Sequence, residues 1–394
     1  MEFEYMPLGE VAEVTKLAGF EFTKYIEYNT TGGIIALRAL NLRKGELDLT
    51  DIKRIDKDVS DLLPRSKLFA GDILLTYTGN GYGDCAIITE NDKYHLAPNI
   101  CKITPNTKKM DPYFLYTYIR SDEFYKQMSN HMVGSSQPTI PMKTIRLLKV
   151  PVPSLHVQRR IKNIVRAIDK KIRVNRTIND NLQQQALAIF QQELLREGEL
   201  PDGWTSGSLL DIANYLNGLA MQKFRPADGE NGLPVLKIKE LRQGSCDASS
   251  ELCSPSIKPE YIVHDGDVIF SWSGSLLVDL WCGGTCGLNQ HLFKVTSEKY
   301  PKWFYYAWTA HHLARFVAIA ADKATTMGHI KREELAKAEV VIPDVASMER
   351  IGGILQPMYD LIISNRIENR KLSVLRDTIL PQLMSGELDV SDLT

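Results

Sequence analysis

Residues 174–180 read VNRTIND and residues 364–370 read SNRIENR. Each stretch lies in a long run of heptad-spaced apolar residues. In the first run the seam falls at Ile161, Val165, Ile168, Ile172, Asn175, Asn179, Leu182, Ala186, Ile189 and Glu193. The spacing alternates four and three, the period of a coiled coil. Adding 190 gives Ile351, Leu355, Met358, Ile362, Asn365, Asn369, Leu372, Arg376, Ile379 and Leu383. Apolar positions map almost throughout onto apolar ones, and both asparagines onto asparagines. The plain reading of a helical asparagine is a solvated side chain. At a seam position the sharper reading is a polar contact that fixes register at some cost in stability. Asn175, Asn179, Asn365 and Asn369 are therefore expected to hold an antiparallel register. Arg176 and Arg366, one step off the seam, are expected to be free for a partner. Helices of about 36 residues would each be ~54 Å long, about 16 base pairs of duplex.

The correspondence extends to the rest of the chain. PLGEVAEV (7–14) answers SLLDIANY (208–215), and LRALNLRKGE (37–46) answers LKIKELRQGS (236–245). FAGDILLTYTG (69–79) answers HDGDVIFSWSG (264–274), and KTIRLLKVPVP (143–153) answers REELAKAEVVIP (332–343). An internal repeat of this length sets the fold. Each copy opens with a β-rich region, exits through Pro151 and Pro153 or Pro343, and continues into a long helix. The predicted class is α+β, with two β-rich domains separated by two long antiparallel coiled-coil helices and related by a pseudo-twofold repeat. Its boundaries are a first β-rich domain at 1–153, a first long helix at 154–198, a second β-rich domain at 199–343, a second long helix at 344–388 and a tail at 389–394.

Composition sets bounds on function. The 394 residues carry a net charge of −1, so no global surplus draws the chain to nucleic acid. The balance is uneven, because residues 159–198 hold 9 basic and 4 acidic side chains. The acidic start MEFEYMPLGE has no apolar core of the kind a signal peptide needs. The apolar runs are too short to span a bilayer. Six cysteines do not make a disulfide framework in a chain this long. A cytoplasmic protein with reduced thiols and no membrane contact is expected.

No catalytic constellation appears in either copy. DPYF (111–114) reads as a helix start, with Asp111 as N-cap and Pro112 in the first turn. KYPKWF (299–304) reads as the matching helix entry. GNGYGD (79–84) misses both phosphate-loop patterns. Cys246, Cys253, Cys282 and Cys286 have spacings unlike those of a zinc site. His311 and His312 lie in an apolar helical stretch that suits a packing role.

What does recur is a trio of polar, aromatic-flanked loops. One set is Arg38, Asn41 and Arg43, answered by Lys237, Lys239 and Arg242. A second is Tyr77, Thr78, Asn80 and Tyr82, answered by Trp272, Ser273 and Ser275. A third is Ser135, Ser136, Gln137 and Lys143, answered by Thr325, Thr326, His329 and Lys331. These residue types read base edges and hold phosphates. Singly each suits an ordinary surface; recurring together they suggest a DNA-binding face. The alternative is a duplicated scaffold that binds proteins through the same loops.

The chain resembles the specificity subunits of type I restriction-modification systems. The stretches that carry the resemblance are LPDGWTSGSLLDIANYLNG (200–218), ATTMGHIKREELAKAEVVIP (324–343), SSQPTIPMKTIRLLKVPVPSLHVQRRI (135–161) and the two helices. The resemblance implies two target-recognition domains, each reading half of a split double-stranded DNA sequence, with the helices setting the gap. It implies partners: two methyltransferase (modification) subunits that supply S-adenosylmethionine chemistry, and room for two restriction subunits using ATP and magnesium. The chain itself would be a non-catalytic recognition subunit with no cofactor and no metal. One departure concerns the turn after each proline exit, where the family often has Glu-Gln. Here Gln158 is kept and Met348 stands in the second copy.

Overall fold

Short x-x-Gly-Asp turns launch the central strand of each half. Gly71 and Gly266 sit at φ of 97° and 86°, a left-handed conformation that suits glycine. The next residue closes the turn: the Asp72 carboxylate accepts from the Phe69 N–H at 2.8 Å, and Asp267 accepts from the His264 N–H at 2.8 Å. Strands Ile73–Thr76 and Val268–Ser271 follow, and all their residues are buried. The run lacks alternation because both faces are covered.

The computed structural model describes residues 3–43, 45–79, 81–134, 138–195, 198–322 and 330–390. The chain divides into two compact units, Met1–Lys170 with Ser373–Thr394, and Lys171–Leu372. In the first unit an antiparallel sheet has the order Ala12–Lys16, Ile100–Pro105, Ile73–Thr76, Cys85–Ile87. A second sheet has the order Lys53–Ile55, Ile34–Leu37, Tyr94–Leu96, Lys67–Leu68, and its central pair is parallel. Strands Tyr5–Pro7 and Lys149–Pro151 pair across the start and end of the domain. The second unit repeats both four-stranded sheets and the terminal pair, while the short Leu42–Arg43 and Glu46–Leu47 pair of the first has no counterpart among its described residues. Its antiparallel sheet runs Asn214–Asn217, Leu292–Thr296, Val268–Ser271, Leu277–Leu280. Its mixed sheet runs Leu252–Cys253, Leu233–Leu236, Cys286–Leu288, Ile262–Val263, again with a parallel central pair. Thr205–Ser208 pairs with Glu339–Ile342. The duplication seen in the sequence is thus a duplication of topology.

The long helices are Leu155–Leu194 and Val345–Ser385. Every predicted seam position on both is buried or half-buried. Within each unit the segments pair antiparallel. In the first, Arg160 donates to the Val390 carbonyl at 2.8 Å, and Arg376 meets Asp169 at 2.9 Å. In the second, Arg350 meets Glu193 at 2.8 Å, and Asn365 donates to Asn179 at 2.9 Å. Phe190, Leu194, Tyr359, Leu380 and Met384 are also buried, although they lie off the seam. A strict heptad is too narrow here, because each helix also covers a β-rich domain. Val157, Ile161 and Val165 join the core of Leu8, Ile73 and Phe114 together with Leu380, Leu383 and Met384. Phe190, Ile351, Leu355 and Ile362 join the core of Phe270 and Trp303.

The expected helix entries are present. Asp111 caps helix Pro112–Ile119, accepting from the N–H groups of Tyr113 and Phe114. Pro301 precedes helix Lys302–His311. Gln158 is fully buried and ties the start of the first long helix to its domain. It accepts from the Asp111 N–H at 2.7 Å and donates to the carbonyls of Lys109 and Pro153 at 2.9 and 2.8 Å. Met348, its counterpart, packs against the core instead.

Two adjacent glycines of the second long helix meet different surroundings. A Cβ on Gly352 would lie 2.9 Å from the Trp303 indole nitrogen, whereas one on Gly353 would meet nothing within 4 Å. Gly353→Ala should stabilise the fold by about 0.5–1 kcal/mol through helix propensity alone. Gly352→Ala should destabilise it, because the indole must shift. Thermal unfolding of the two variants measures the contrast; equal shifts of one sign would refute it.

Candidate nucleic-acid interface

The asparagines face each other across the helix pair. Asn175 Nδ2 donates to Asn369 Oδ1 at 2.9 Å and to Glu368 Oε2 at 2.7 Å. Asn365 Nδ2 donates to Asn179 Oδ1 at 2.9 Å, and Asn179 Nδ2 reaches the Ile362 carbonyl at 3.3 Å. The pairs are 175 with 369 and 179 with 365, as an antiparallel register requires. Lys171 adds an ion pair to Glu368 at 3.2 Å. Bonds to Asn175 and then Lys171 hold the Glu368 carboxyl below its usual range.

The expectation for Arg366 is corrected. Its guanidinium forms a two-pronged pair with Asp279 at 2.7 and 2.6 Å. Arg370 does the same with Asp265, at 2.7 Å for both prongs. Both carboxylates belong to the domain that the helix covers, at a sequence distance that no helical pattern reveals. In the first unit the polarity is reversed. Asp169 on the first long helix accepts from Tyr113 Oη at 2.8 Å and pairs with Arg120 at 3.1 Å and Arg376 at 2.9 Å. Burial raises the Asp169 pKa, but Arg120, Arg376 and Tyr113 outweigh it and leave the carboxyl below its ordinary value.

In each unit a described residue beside the third loop set is hydrogen-bonded to the strand end that carries the second. In the first, the Ile140 N–H donates to the Tyr77 carbonyl at 3.0 Å, and the Gly79 N–H to the Pro138 carbonyl at 2.9 Å. In the second, the Ile330 N–H donates to the Trp272 carbonyl at 3.0 Å. Of the named residues, Arg43, Lys143, Lys239, Arg242, Ser275 and Lys331 are exposed, and Thr78, Tyr82 and Trp272 half-buried. Tyr82 stacks on Tyr125 with ring centroids 5.2 Å apart and hydroxyls at 2.6 Å. Trp272 stacks on Phe293 and donates its indole N–H to Asn217 at 2.9 Å. Arg38 is tied to Asp51 at 3.0 Å, and Lys237 to Glu251 at 2.6 Å. Asn80, Ser135, Ser136, Gln137, Thr325, Thr326 and His329 lie outside the described residues.

Three named residues are not surface groups. Asn41 is fully buried; its amide donates to the carbonyls of Asp48 and Asp51 and accepts from the Arg38 N–H, bracing its own loop. Tyr77 lies in the first unit's core, where burial raises its pKa. Ser273 is buried, with its hydroxyl 3.0 Å from His291 Nδ1.

That contact leads to residues the sequence reading missed. Leu96 and Leu288 end equivalent strands, paired with Leu37 and Leu236. Ile100 and Leu292 begin the equivalent next strands. The connections between them are Ala97, Pro98 and Asn99 in one unit, and Asn289, Gln290 and His291 in the other. Asn99 is exposed at φ 72°, an uncommon conformation for a non-glycine residue. In the second unit the connection lines a groove of about 460 Å³ together with Gln222, Arg225, Lys237, Lys239 and Glu251. Aligning LAPNI (96–100) with LNQHL (288–292) would have revealed the pair.

A family model described as the type I restriction modification DNA specificity domain matches residues 1–184 and again residues 201–374. The chain belongs to this family. It is similar to the type I restriction enzyme MjaIX specificity subunit of Methanocaldococcus jannaschii, 24% identical over 304 residues, which are 71% of this chain and 69% of that one. The HindI specificity subunit of Haemophilus influenzae is 19% identical over 452 residues, covering 94% of this chain and 96% of that one. Among solved structures, the S subunit of a type I restriction-modification system from M. genitalium superposes with a TM-score of 0.60 at 13% identity, covering 98% of this chain and 96% of that one. The specificity domain thus occurs here twice, once per unit. No helix among the described residues is long and apolar enough to cross a membrane.

The asparagine pair is open to a double-mutant cycle. Asn365→Leu alone should cost about 1–3 kcal/mol, because it strands buried Asn179. Asn179→Leu with Asn365→Leu should recover much of that loss, giving a clear coupling energy in chemical denaturation. Costs that simply add would show that the two side chains do not act together.

Proposed function

We propose that the chain is the DNA sequence-specificity subunit of a type I restriction-modification complex, and that it recognises a bipartite duplex target with one half-site per unit. The observation that carries this reading is the double match to the DNA specificity domain, on two copies of one strand topology. The hydrogen bond from Ile140 to Tyr77 in one copy and from Ile330 to Trp272 in the other supports a loop surface held at equivalent strand ends. A binding surface built from loops on a fixed scaffold can diverge in what it recognises without loss of the fold. The chain is a recognition subunit, and the chemistry belongs to its partners. Two methyltransferase subunits would bring S-adenosylmethionine, and two restriction subunits would bring ATP and magnesium. Near-neutral net charge is compatible with DNA binding when partners share the phosphate contacts.

The long helices are the proposed dock for the methyltransferase subunits. In the second unit Val174, Ile178, Leu187, Ile354 and Leu361 are exposed on them, 38–52% accessible. Exposed apolar side chains at several points of a helix pair suit a protein partner. Ile354→Glu with Leu361→Glu should weaken co-purification with the cognate methyltransferase subunit at least tenfold while the thermal midpoint changes by a few degrees at most. Undiminished assembly would exclude this face as the dock.

The recognition reading is tested by selection from a random duplex pool with the chain assembled with its methyltransferase subunit. The expected product is two short defined sequences separated by a fixed, unspecified gap. A competent complex that enriches no sequence would overturn the proposal in favour of a protein-binding scaffold.

A further inference from the structure

The groove of the second unit differs from an ordinary polar surface in how its floor is held. Ser273 Oγ lies 3.0 Å from His291 Nδ1, and Asn289 Oδ1 accepts from the His291 N–H at 3.2 Å. The Asn289 and Ser273 side chains that make these contacts are themselves buried. The imidazole is held through Nδ1, its Nε2 lies 3.4 Å from the Gln290 amide, and both residues line the groove. A planar amide and a ring nitrogen are presented side by side from a three-residue turn that links two sheets. Such a turn has little freedom, so little ordering is left for binding to impose.

Charge decides what the groove takes. Glu251 stands in its wall, pairs with Lys237 at 2.6 Å and with Arg225 at 3.6 Å, and stays ionised because its bond to Lys237 lowers its pKa. This carboxylate is already matched by two cations and adds no attraction for phosphate. It accepts readily from the exocyclic amine of a base, as the glutamine amide pairs with an adenine edge. Two cations with exposed side chains also line the groove, Arg225 beside Glu251 and Lys239 with Asp247 at 3.8 Å.

Resting on the reading of the chain as a DNA specificity subunit, we infer that Gln290 and His291 read base edges in one half-site, and that Lys239 and Arg225 hold the flanking phosphates. The site takes an exposed base-pair edge in the major groove, with the adenine edge as the best match to Gln290. The turn 97–99 occupies the corresponding place in the first unit.

The test uses the full chain assembled with its methyltransferase subunit, and duplexes with each position of the target varied in turn. Gln290→Ala should cut discrimination about 5- to 100-fold at one or two adjacent positions of a single half-site, leaving the salt dependence unchanged. Gln290→Met, which keeps the side chain's length, should do the same and guards against a local folding defect. Lys239→Ala should weaken binding to all sequences alike and reduce the salt slope by about 1. An even loss across sequences in both Gln290 variants would make the groove a phosphate contact and overturn the assignment. So would preferences unchanged at every position. Both outcomes presuppose that the unaltered complex selects a bipartite target; if it selects none, the specificity-subunit reading itself fails.

Discussion

A buried amide pair governs how the two long helices meet. Apolar seams are tolerant, because leucine packs almost as well one heptad along. Asn175 opposite Asn369 and Asn179 opposite Asn365 are not. Sliding one helix past the other would place these amides against apolar neighbours, at the full cost of desolvating an unpartnered polar group. The register is therefore chosen by exclusion more than by attraction. It determines which face of each helix remains for the domain it covers. Arg366 and Arg370 then clamp that face to Asp279 and Asp265, and Asp169 gathers Arg120 and Arg376 in the other unit.

The two copies have kept the sheet framework and changed the contacts that fasten each long helix to it. The Gly-Asp turns, the parallel central strand pair and the carbonyl contact made by Ile140 or Ile330 recur with nearly the same geometry. The anchors between helix and domain do not. Where one copy buries Gln158 with three hydrogen bonds, the other packs Met348. Where one sets charged Asp169, the other sets Tyr359 against Tyr306 edge to face. Each solution satisfies the same requirement, a helix fixed on a sheet domain, by different chemistry. This freedom lets two halves of one chain drift apart in sequence while their backbones stay superposable in plan.

The long helices, the repeat and the antiparallel register could be read from the sequence because they rest on periodicity, which is local and cumulative. Side-chain roles in loops could not. Asn41 has the composition of a recognition residue, but short loops need their own amides to satisfy their carbonyls, and Asn41 does that. Tyr77 fails because the residue after a buried strand is often still inside, and Ser273, two residues past its strand, turns inward to His291. Arg366 looked free because a helical wheel shows nothing of a carboxylate 87 residues away in sequence. Gln290 and His291 were overlooked because their turn carries no charge and no glycine, although the repeat aligns them with Pro98 and Asn99.

The first unit is assembled from both ends of the sequence. Leu380, Leu383, Met384 and Val390 complete a core that begins at Phe3. During synthesis the amino-terminal domain therefore emerges long before the residues that seal it. The second unit, made later, is the first to have all its parts. Until the end of the second long helix is released, the earlier domain lacks the residues that complete its core. Vectorial synthesis thus imposes an inverted order of completion on this chain, and the last helical turns act as its closing seam.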